Sequence, residues 1–303
     1  MKVLVTGGTG FVGREIVKRL HRDGHSLRLL ARRPQSPQIQ RITALTPVEV
    51  YPGDILQREP LDGAFEGVTA AVHLVGIISE CGPSTFERIH AEGTAAIVRA
   101  SERAGVRRFL HMSALGTRPQ AVSRYHQSKW AAEQTVRNSA LDFTIFRPSL
   151  IFGPEDHFAN LFAQIARFSP VVPLIGRPNA RFQPVAVETV ADAFAKALET
   201  PASFGQTCDL CGPERLTLSE MIDAILAATG RKRWKFRVPP SLARCQAALL
   251  EWLCPKLPGK APPLNRDQLL MLEEDNLGDP EPANRLFNLR QEGFSAGIRR
   301  FLK

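Results

Sequence analysis

Short apolar runs alternate with stretches whose apolar positions recur every three or four residues through the first half of the chain. The runs Lys2–Val5, Ser26–Ala31, Val48–Tyr51, Ala70–Ile78 and Arg107–Met112 read as strands, several of them apolar enough to be buried on both faces of a parallel sheet. Between them, Val12, Ile16, Val17 and Leu20 mark a helix that begins near Phe11. Glu92–Ala104 and the run continued by Ala131, Ala132 and Val136 mark two more. Strands alternating with helices predict an α/β fold of the Rossmann type, a doubly wound parallel sheet whose ligand crevice lies at the strand carboxyl ends. Past Gly153 the rhythm changes. A helix over Phe158–Phe168 leads into a proline-punctuated passage, Pro170–Pro184, and then a helix over Val187–Leu198 that returns to the sheet. Thr207–Leu210 reads as a strand, and Thr217-Leu-Ser-Glu220 as a capping box that opens a helix to Ala228. The expected organisation is a Rossmann domain over residues 1–150, rejoined by about 185–204, and a smaller C-terminal α/β lobe over 151–303 that lies over the cleft.

Chemistry enters at the first turn, where Gly7, Gly10 and Gly13 recur every third residue. Gly7 permits the tight turn, Gly10 lets backbone amides approach a pyrophosphate, and Gly13 lets the helix lie close to the strand. Thr6, Gly7, Thr9, Gly10, Phe11, Val12 and Gly13 are therefore the expected dinucleotide cradle, with phosphate charge at the positive end of the helix. The second strand ends in Arg32-Arg33-Pro34, and Arg32 stands nineteen positions past Gly13 with no carboxylate near it. A carboxylate there would hold a ribose 2′-hydroxyl, whereas arginine pairs with a 2′-phosphate, so NADP(H) is favoured over NAD(H). The bland alternative is a solvated arginine pair. Asp54, followed by Ile55, sits at the end of the third strand, placed either to meet the adenine amino group or to cap the following turn.

Composition narrows the partners. The 303 residues are 44% hydrophobic and 23% charged, ordinary for a globular protein, and the formal net charge is +9. That charge suits cofactor phosphates, an acidic partner or an anionic membrane surface. Nucleic acid is disfavoured, because the first two thirds hold no long basic run with interleaved aromatics. Five cysteines and no signal peptide point to reduced thiols in a cytoplasmic compartment. Cys208 and Cys211 fall three apart on a predicted strand and face opposite sides, and no second pair completes four ligands, so no metal site is expected. Met1 runs straight into the first strand, leaving no visible targeting segment. The apolar stretch Leu242–Leu253, broken by Arg244, Gln246 and Glu251, is too short to span a bilayer.

Tyr125 and Lys129 lie four apart at the start of a helical run and share one face. A phenol titrates near 10, and a neighbouring ammonium together with an oxidised nicotinamide would pull it toward the working range of an acid–base catalyst. Lys129 can also hold ribose hydroxyls. Ser113, at the end of the fifth strand, can orient a substrate carbonyl or alcohol. The alternative is a tyrosine packing at a helix start beside an exposed lysine. His73, inside an apolar strand, reads as a core histidine. In Arg231-Lys-Arg-Trp-Lys-Phe-Arg237 and the helix after it, basic residues interleave with Trp234 and Phe236. Residues 231–254 therefore suit an anionic membrane surface or a membrane complex, with the protein peripheral at the inner face of the membrane; the bland reading is a lobe strand and an inward-packed helix.

The combination Thr6-Gly-Gly-Thr-Gly-Phe-Val-Gly13, Tyr125-x-x-x-Lys129 and Arg147-Pro-Ser149 resembles the extended and atypical short-chain dehydrogenase/reductases, the sugar epimerase/dehydratase superfamily. His111-Met-Ser-Ala-Leu-Gly116, Phe152-Gly-Pro-Glu-Asp-His-Phe158, Pro173-Leu-Ile-Gly176 and Arg181-Phe-Gln-Pro-Val185 are similar to bacterial relatives of the NADPH-binding accessory subunit of respiratory complex I. The resemblance implies a nicotinamide cofactor along the first domain, with Val75 and Gly76 beside it, Arg147, Pro148 and Ser149 near its nicotinamide end, and Arg181 near the substrate cleft. It also implies that some relatives hold NADPH without known turnover and that others are associated with quinone metabolism. Two departures stand out: Val75-Gly76-Ile77 replaces an Asn-Ala-Ala-Gly-like stretch, with His90 near a usual helix asparagine, and Ser113 is followed by Ala114 where active members carry further hydroxyls. Two functions are thus expected: an NADP(H)-dependent oxidoreductase or epimerase-type enzyme, or a cofactor-binding, non-turnover protein of a membrane assembly. The substrate is not specified by these residues.

Overall fold

The computed structural model describes residues 1–57, 61–253 and 264–302. Its central sheet contains β1 (Lys2–Thr6), β2 (Ser26–Ala31), β3 (Glu49–Pro52), β4 (Ala70–His73), β5 (Arg108–Met112), β6 (Asp142–Pro148) and an edge strand, Gln206–Leu210. All are parallel, in the spatial order β3-β2-β1-β4-β5-β6-edge. Thr6 of β1 sits opposite Leu30 on one side and His73 on the other, so the winding reverses at β1 and the ligand crevice opens beyond these three residues. The expected doubly wound α/β fold is the observed one.

The helices are α1 (Phe11–Arg22), α2 (Pro37–Leu45), α3 (Gly93–Arg103), α4 (Arg124–Arg137), α5 (His157–Phe168), α6 (Val187–Leu198), α7 (Leu218–Ala228) and α8 (Pro240–Leu253), followed by short helices over Arg266–Leu272 and Glu281–Phe287. Alternate strand residues feed two cores. Val3, Val5, Leu110 and Phe146 pack against Ile16, Val17 and Leu20 of α1 and Val190 and Phe194 of α6. Leu4, Phe109 and Ile145 pack on the other face against Ile97 and Val98 of α3 and Val136 of α4. The lobe has its own core, in which Phe152, Ala159 of α5 and Val172 meet Met221, Ile222 and Ile225 of α7.

Four expectations need correction. β4 stops at His73, not Ile78: Leu74 N–H makes the last ladder bond, to Thr6 O, and the chain then passes so close to the glycine turn that a Cβ on Gly7 would lie 3.0 Å from Leu74 C and Val75 N. A turn of π-helix over Glu87–Glu92 runs directly into α3, ahead of the expected start. The passage Pro170–Pro184 is not merely loop: Val171–Leu174 pairs in parallel with Trp234–Arg237, and Arg181–Phe182 pairs antiparallel with Leu216–Thr217. Finally, the Rossmann layer takes back more chain than 185–204. It includes the edge strand and Glu281–Phe287, whose Phe287 ring lies 5.6 Å from that of Phe146. Cys254 and the rest of 254–263 lie outside the described residues.

Arg108 ties this return to the sheet. Its buried guanidinium donates to Ala197 O (3.2 Å) from Nε, to Asp142 O (2.7 Å) from Nη1, and to Thr144 Oγ1 (2.8 Å) and Ser203 Oγ (2.9 Å) from Nη2. Removing it leaves buried acceptors without a donor. Arg108→Met is expected to lower unfolding stability by about 3 kcal/mol in urea titration, whereas exposed Arg107→Met changes it by less than about 0.5 kcal/mol. Equal effects would refute the role given to Arg108.

Candidate functional site

The site begins at the glycine turn, where the backbone leaves β1. Gly7 has φ +76°, the left-handed region that glycine enters without strain. A Cβ on Gly13 would lie 2.3 Å from Gly7 O, so the first turn of α1 rests directly on the loop. Gly10 differs: a Cβ there would meet only Gly7 O, at 3.4 Å, leaving the space in front of the helix clear of the chain's own atoms. Gly10 caps α1 without a side-chain hydrogen bond, and the first turn carries no acidic residue. By contrast, Ser36, Ser123, Asp156 and Thr217 cap α2, α4, α5 and α7 with their side chains. Uncapped amides, the positive helix end and an open approach fit a pyrophosphate. Arg14, which the sequence reading passed over, donates to Thr9 O (2.9 Å) and pairs with Glu155 of the lobe.

Arg32 and Arg33 are exposed beyond β2, and neither makes an ion pair with a described residue. The Asp54 carboxylate accepts from Leu56 N–H (3.0 Å), the turn-capping alternative, while Ile55 is buried against the α3 core. Val75 and Gly76 follow β4, and a Cβ on Gly76 would lie 3.1 Å from Lys129 Nζ.

The helix α4 carries Tyr125 and Lys129. Lys129 is buried and donates from Nζ to Met112 O (3.0 Å), which puts its ammonium at the end of β5, one residue from Ser113. Ser113 Oγ in turn lies 3.4 Å from Thr117 Oγ1. The Tyr125 ring sits edge-on to His90 (5.4 Å), Phe86 (5.9 Å) and His126 (5.2 Å). Burial pulls the Lys129 ammonium down to about 8, with Glu133 opposing, and pushes the Tyr125 phenol up to about 12. The chain's own groups therefore raise the phenol, and any lowering of Tyr125 is left to a bound oxidised nicotinamide.

Buried histidines surround the pair. His73 bonds Thr6 Oγ1 (2.6 Å) and Thr94 Oγ1 (3.1 Å), as a core histidine should, and burial pulls it down to about 3. His111 stacks on it at 5.6 Å, and neither of its ring nitrogens has a hydrogen-bond partner among the described residues. His90 has a fixed tautomer. Ile77 N–H donates to its Nε2 (3.0 Å), so the ring proton is on Nδ1 and goes to Ser128 Oγ (2.8 Å), whose own proton goes to Tyr125 O (2.8 Å). Three bonds in one direction thus lock the loop after β4 to the helix turn between Tyr125 and Lys129.

The remaining expected residues are placed differently. The Arg147 guanidinium is engaged by both oxygens of buried Glu133, Nε at 2.8 Å and Nη2 at 2.7 Å, on the α4 side of the sheet. Pro148 ends β6, and Ser149 Oγ lies 2.5 Å from Asn276 Oδ1. Arg181 is exposed, and its backbone N–H donates to Asp275 Oδ1 (3.1 Å). Asn276 and Asp275 belong to a strap, residues 265–278, whose short helix Arg266–Leu272 is legible in the sequence but whose contacts with the site are not. Asn265 Nδ2 donates to Ile78 O (3.1 Å). The Asp267 carboxylate accepts Arg124 N–H (2.7 Å) and Tyr125 N–H (3.0 Å), and so caps the first turn of α4 from outside.

Comparison with known proteins agrees with this geometry. Residues 3–211 match the profile described as NAD dependent epimerase/dehydratase family. The chain is 29% identical over 284 residues to NADH dehydrogenase (ubiquinone) 1 alpha subcomplex subunit 9, mitochondrial, of Arabidopsis thaliana, covering 90% of this chain and 70% of that one. It is 35% identical over 195 residues to ceramide reductase of Caulobacter vibrioides, covering 64% of this chain and only 59% of that protein's length. The UDP-glucuronic acid 4-epimerase of Bacillus cereus, solved with UDP-glucuronic acid and NAD, superposes with a TM-score of 0.75 at 17% identity, over 99% of this chain and 98% of that one, a likeness of fold alone.

The buried ammonium sets a pH dependence. Lys129 titrates lower in the folded chain than its ordinary 10.5, so the cost of burying its charge is fully present below about 8 and is relieved as pH rises to 10.5. The stability advantage of Lys129→Met over the native chain is expected to shrink by up to about 3 kcal/mol across that window, measured by thermal unfolding from pH 7 to 10.5. A pH-independent difference would refute this.

Proposed function

The chain belongs to the NAD dependent epimerase/dehydratase family, and from that premise we propose that it is an NADP(H)-dependent oxidoreductase that reduces the carbonyl of a quinone or a similar apolar, lipid-like substrate. When bound, the cofactor supplies hydride exchange at its nicotinamide ring. The chain's part is to bind, orient and protonate. The amides of Phe11 to Gly13 face the pyrophosphate, Arg32 and Arg33 face a 2′-phosphate, and Lys129 holds a ribose hydroxyl. Ser113 orients the substrate oxygen and Tyr125 gives it a proton. One observation carries the reading: the Tyr125 phenol stands four residues from the buried Lys129 ammonium on α4, and that ammonium bonds Met112 O at the end of β5, beside Ser113. A proton donor of that kind suits carbonyl reduction. The substrate class draws on the relatives named for ubiquinone and ceramide.

A second reading is favoured by the relative that aligns over 90% of this chain, itself a subunit of an NADH dehydrogenase complex. In that reading the protein holds NADPH without turnover inside a membrane assembly. Ala114 after Ser113, and His90 bonded to Ile77 N–H and Ser128, accord with it as well.

Purified protein is assayed for NADPH oxidation with quinones, long-chain ketones and nucleotide sugars. Turnover with an apolar carbonyl, cut at least a hundredfold or so by Tyr125→Phe while NADPH affinity holds, is the expected result. Tightly held NADPH with no turnover on any of the three would sink the first reading in favour of the second. In both, Arg32→Glu with Arg33→Glu is expected to weaken NADPH binding about tenfold or more by calorimetry and leave NADH nearly unchanged. Equal losses for both cofactors would remove the case for a 2′-phosphate.

A further inference from the structure

The C-terminal lobe turns its largest apolar side chains outward, and we propose that this face docks on an anionic phospholipid bilayer. Along the strand Trp234–Arg237 the side chains alternate: Lys235 turns in to Ser219 and Asp223 of α7, while Trp234 and Phe236 turn out, 81% and 56% exposed. Trp234 is registered against Val171, itself exposed, and its N–H donates to Pro170 O, two residues beyond exposed Phe168. One face of this strand pair thus rests on α7 and the other is bare and aromatic.

After Val238 and Pro239, α8 repeats the inversion. Its small residues Ala243 and Ala247 are buried against Leu269, while Leu242 and Leu249, seven apart on one stripe, are 55% and 54% exposed. A water-facing amphipathic helix does the opposite. The strand of the bland reading is present, but Trp234, Phe236, Leu242 and Leu249 do not pack inward.

Charge decides the occupant. Residues 231–253 carry six basic side chains against one acidic, Glu251, and that one is paired with Arg266. Arg231, Lys232, Arg233 and Arg237 have no carboxylate partner among the described residues. Beside Trp234 lies an open hollow of about 500 Å³ lined by Asp223, Leu226, Gly230, Arg231, Lys232 and Arg233; Asp223 is paired with Lys235, so the three remaining cations give the hollow the sign to receive lipid phosphate. Exposed tryptophan and phenylalanine rimmed by unneutralised cations is the composition of an interfacial anchor that reads anionic headgroups. No described helix is long and apolar enough to cross a membrane, so the attachment is to one leaflet. The docking stands whether or not the cleft turns over substrate.

The full chain is mixed with vesicles of phosphatidylcholine alone or with added phosphatidylglycerol, and binding is followed by co-sedimentation and by quenching of tryptophan fluorescence with brominated lipid. The expected result is salt-sensitive binding to the anionic vesicles, at least tenfold or so weaker on the neutral ones, and a similar loss in Trp234→Ala with Phe236→Ala. Should that variant melt at a lower temperature, Arg231→Glu with Lys232→Glu provides the same comparison by charge alone. No binding to anionic vesicles, equal binding to neutral ones, or binding unchanged in both variants would overturn the proposal. So would concentration-dependent dimers that the aromatic variant abolishes, since the face would then join two copies of the chain.

Discussion

The contact of α1 with the glycine turn constrains everything else at the cofactor end. With Gly13 so near Gly7 O that no side-chain atom fits between them, the helix axis is aimed back at the loop. Its free amides and dipole converge on one point. The same loop fixes the strand beside it: Gly7 lies against Leu74 and Val75, which ends β4 at His73 and sends the following loop toward α4. The open approach to the end of α1 and the course of the loop toward α4 thus both follow from one steric fact at the first turn.

Helix α4 meets that loop with polar groups where a core helix would use leucine. Its buried positions include His126, Ser128, Lys129 and Glu133. Most are tied separately: His126 Nδ1 to Ser123 Oγ, Ser128 to His90, Lys129 to Met112 O, Glu133 to Arg147 and Arg137, and the amide end to Asp267. Burying so many polar groups is costly unless every one is bonded, and a fully bonded set is rigid. Rigidity there is useful, because a phenol and an ammonium one turn apart act together only if the turn between them cannot shift. Both ring nitrogens of His111 and Nε2 of His126 are exceptions here, and the structure offers no physical account of them.

What the sequence made legible follows from which signals are local. The bounds of β2 and α6 were read to the residue, because strand apolarity and helical period are properties of consecutive residues. The glycine spacing and the Tyr125–Lys129 pair were legible for the same reason. The π-turn was hidden because His90 and Thr94 occupy inward positions, so the apolar period there is broken by polar side chains. Asp267 lies 142 residues from the amide it caps, and Arg108 bonds an oxygen 89 residues away; no local pattern encodes such pairings. Arg147 shows the limit of motif transfer, since a matching tripeptide did not reveal that its guanidinium is held by Glu133.

One short helix, Arg266–Leu272, links the outer face of the lobe to α4. The alanine side of α8 packs on Leu269, two residues from Asp267 in the same short helix, and Asp267 holds the amide of Tyr125. A force that moved α8 would therefore act on the carboxylate that caps α4 through a single layer of side chains. The alanine contact is backed by charge: Glu251 of α8 accepts Arg266 N–H and Arg266 Nε–H, both at 2.7 Å, and the Asp267 bonds to α4 are likewise charge-assisted and short. Attachment at that face would thus be felt first as a shift of α8, and would reach Tyr125 only to the extent that the helix carrying Asp267 follows it.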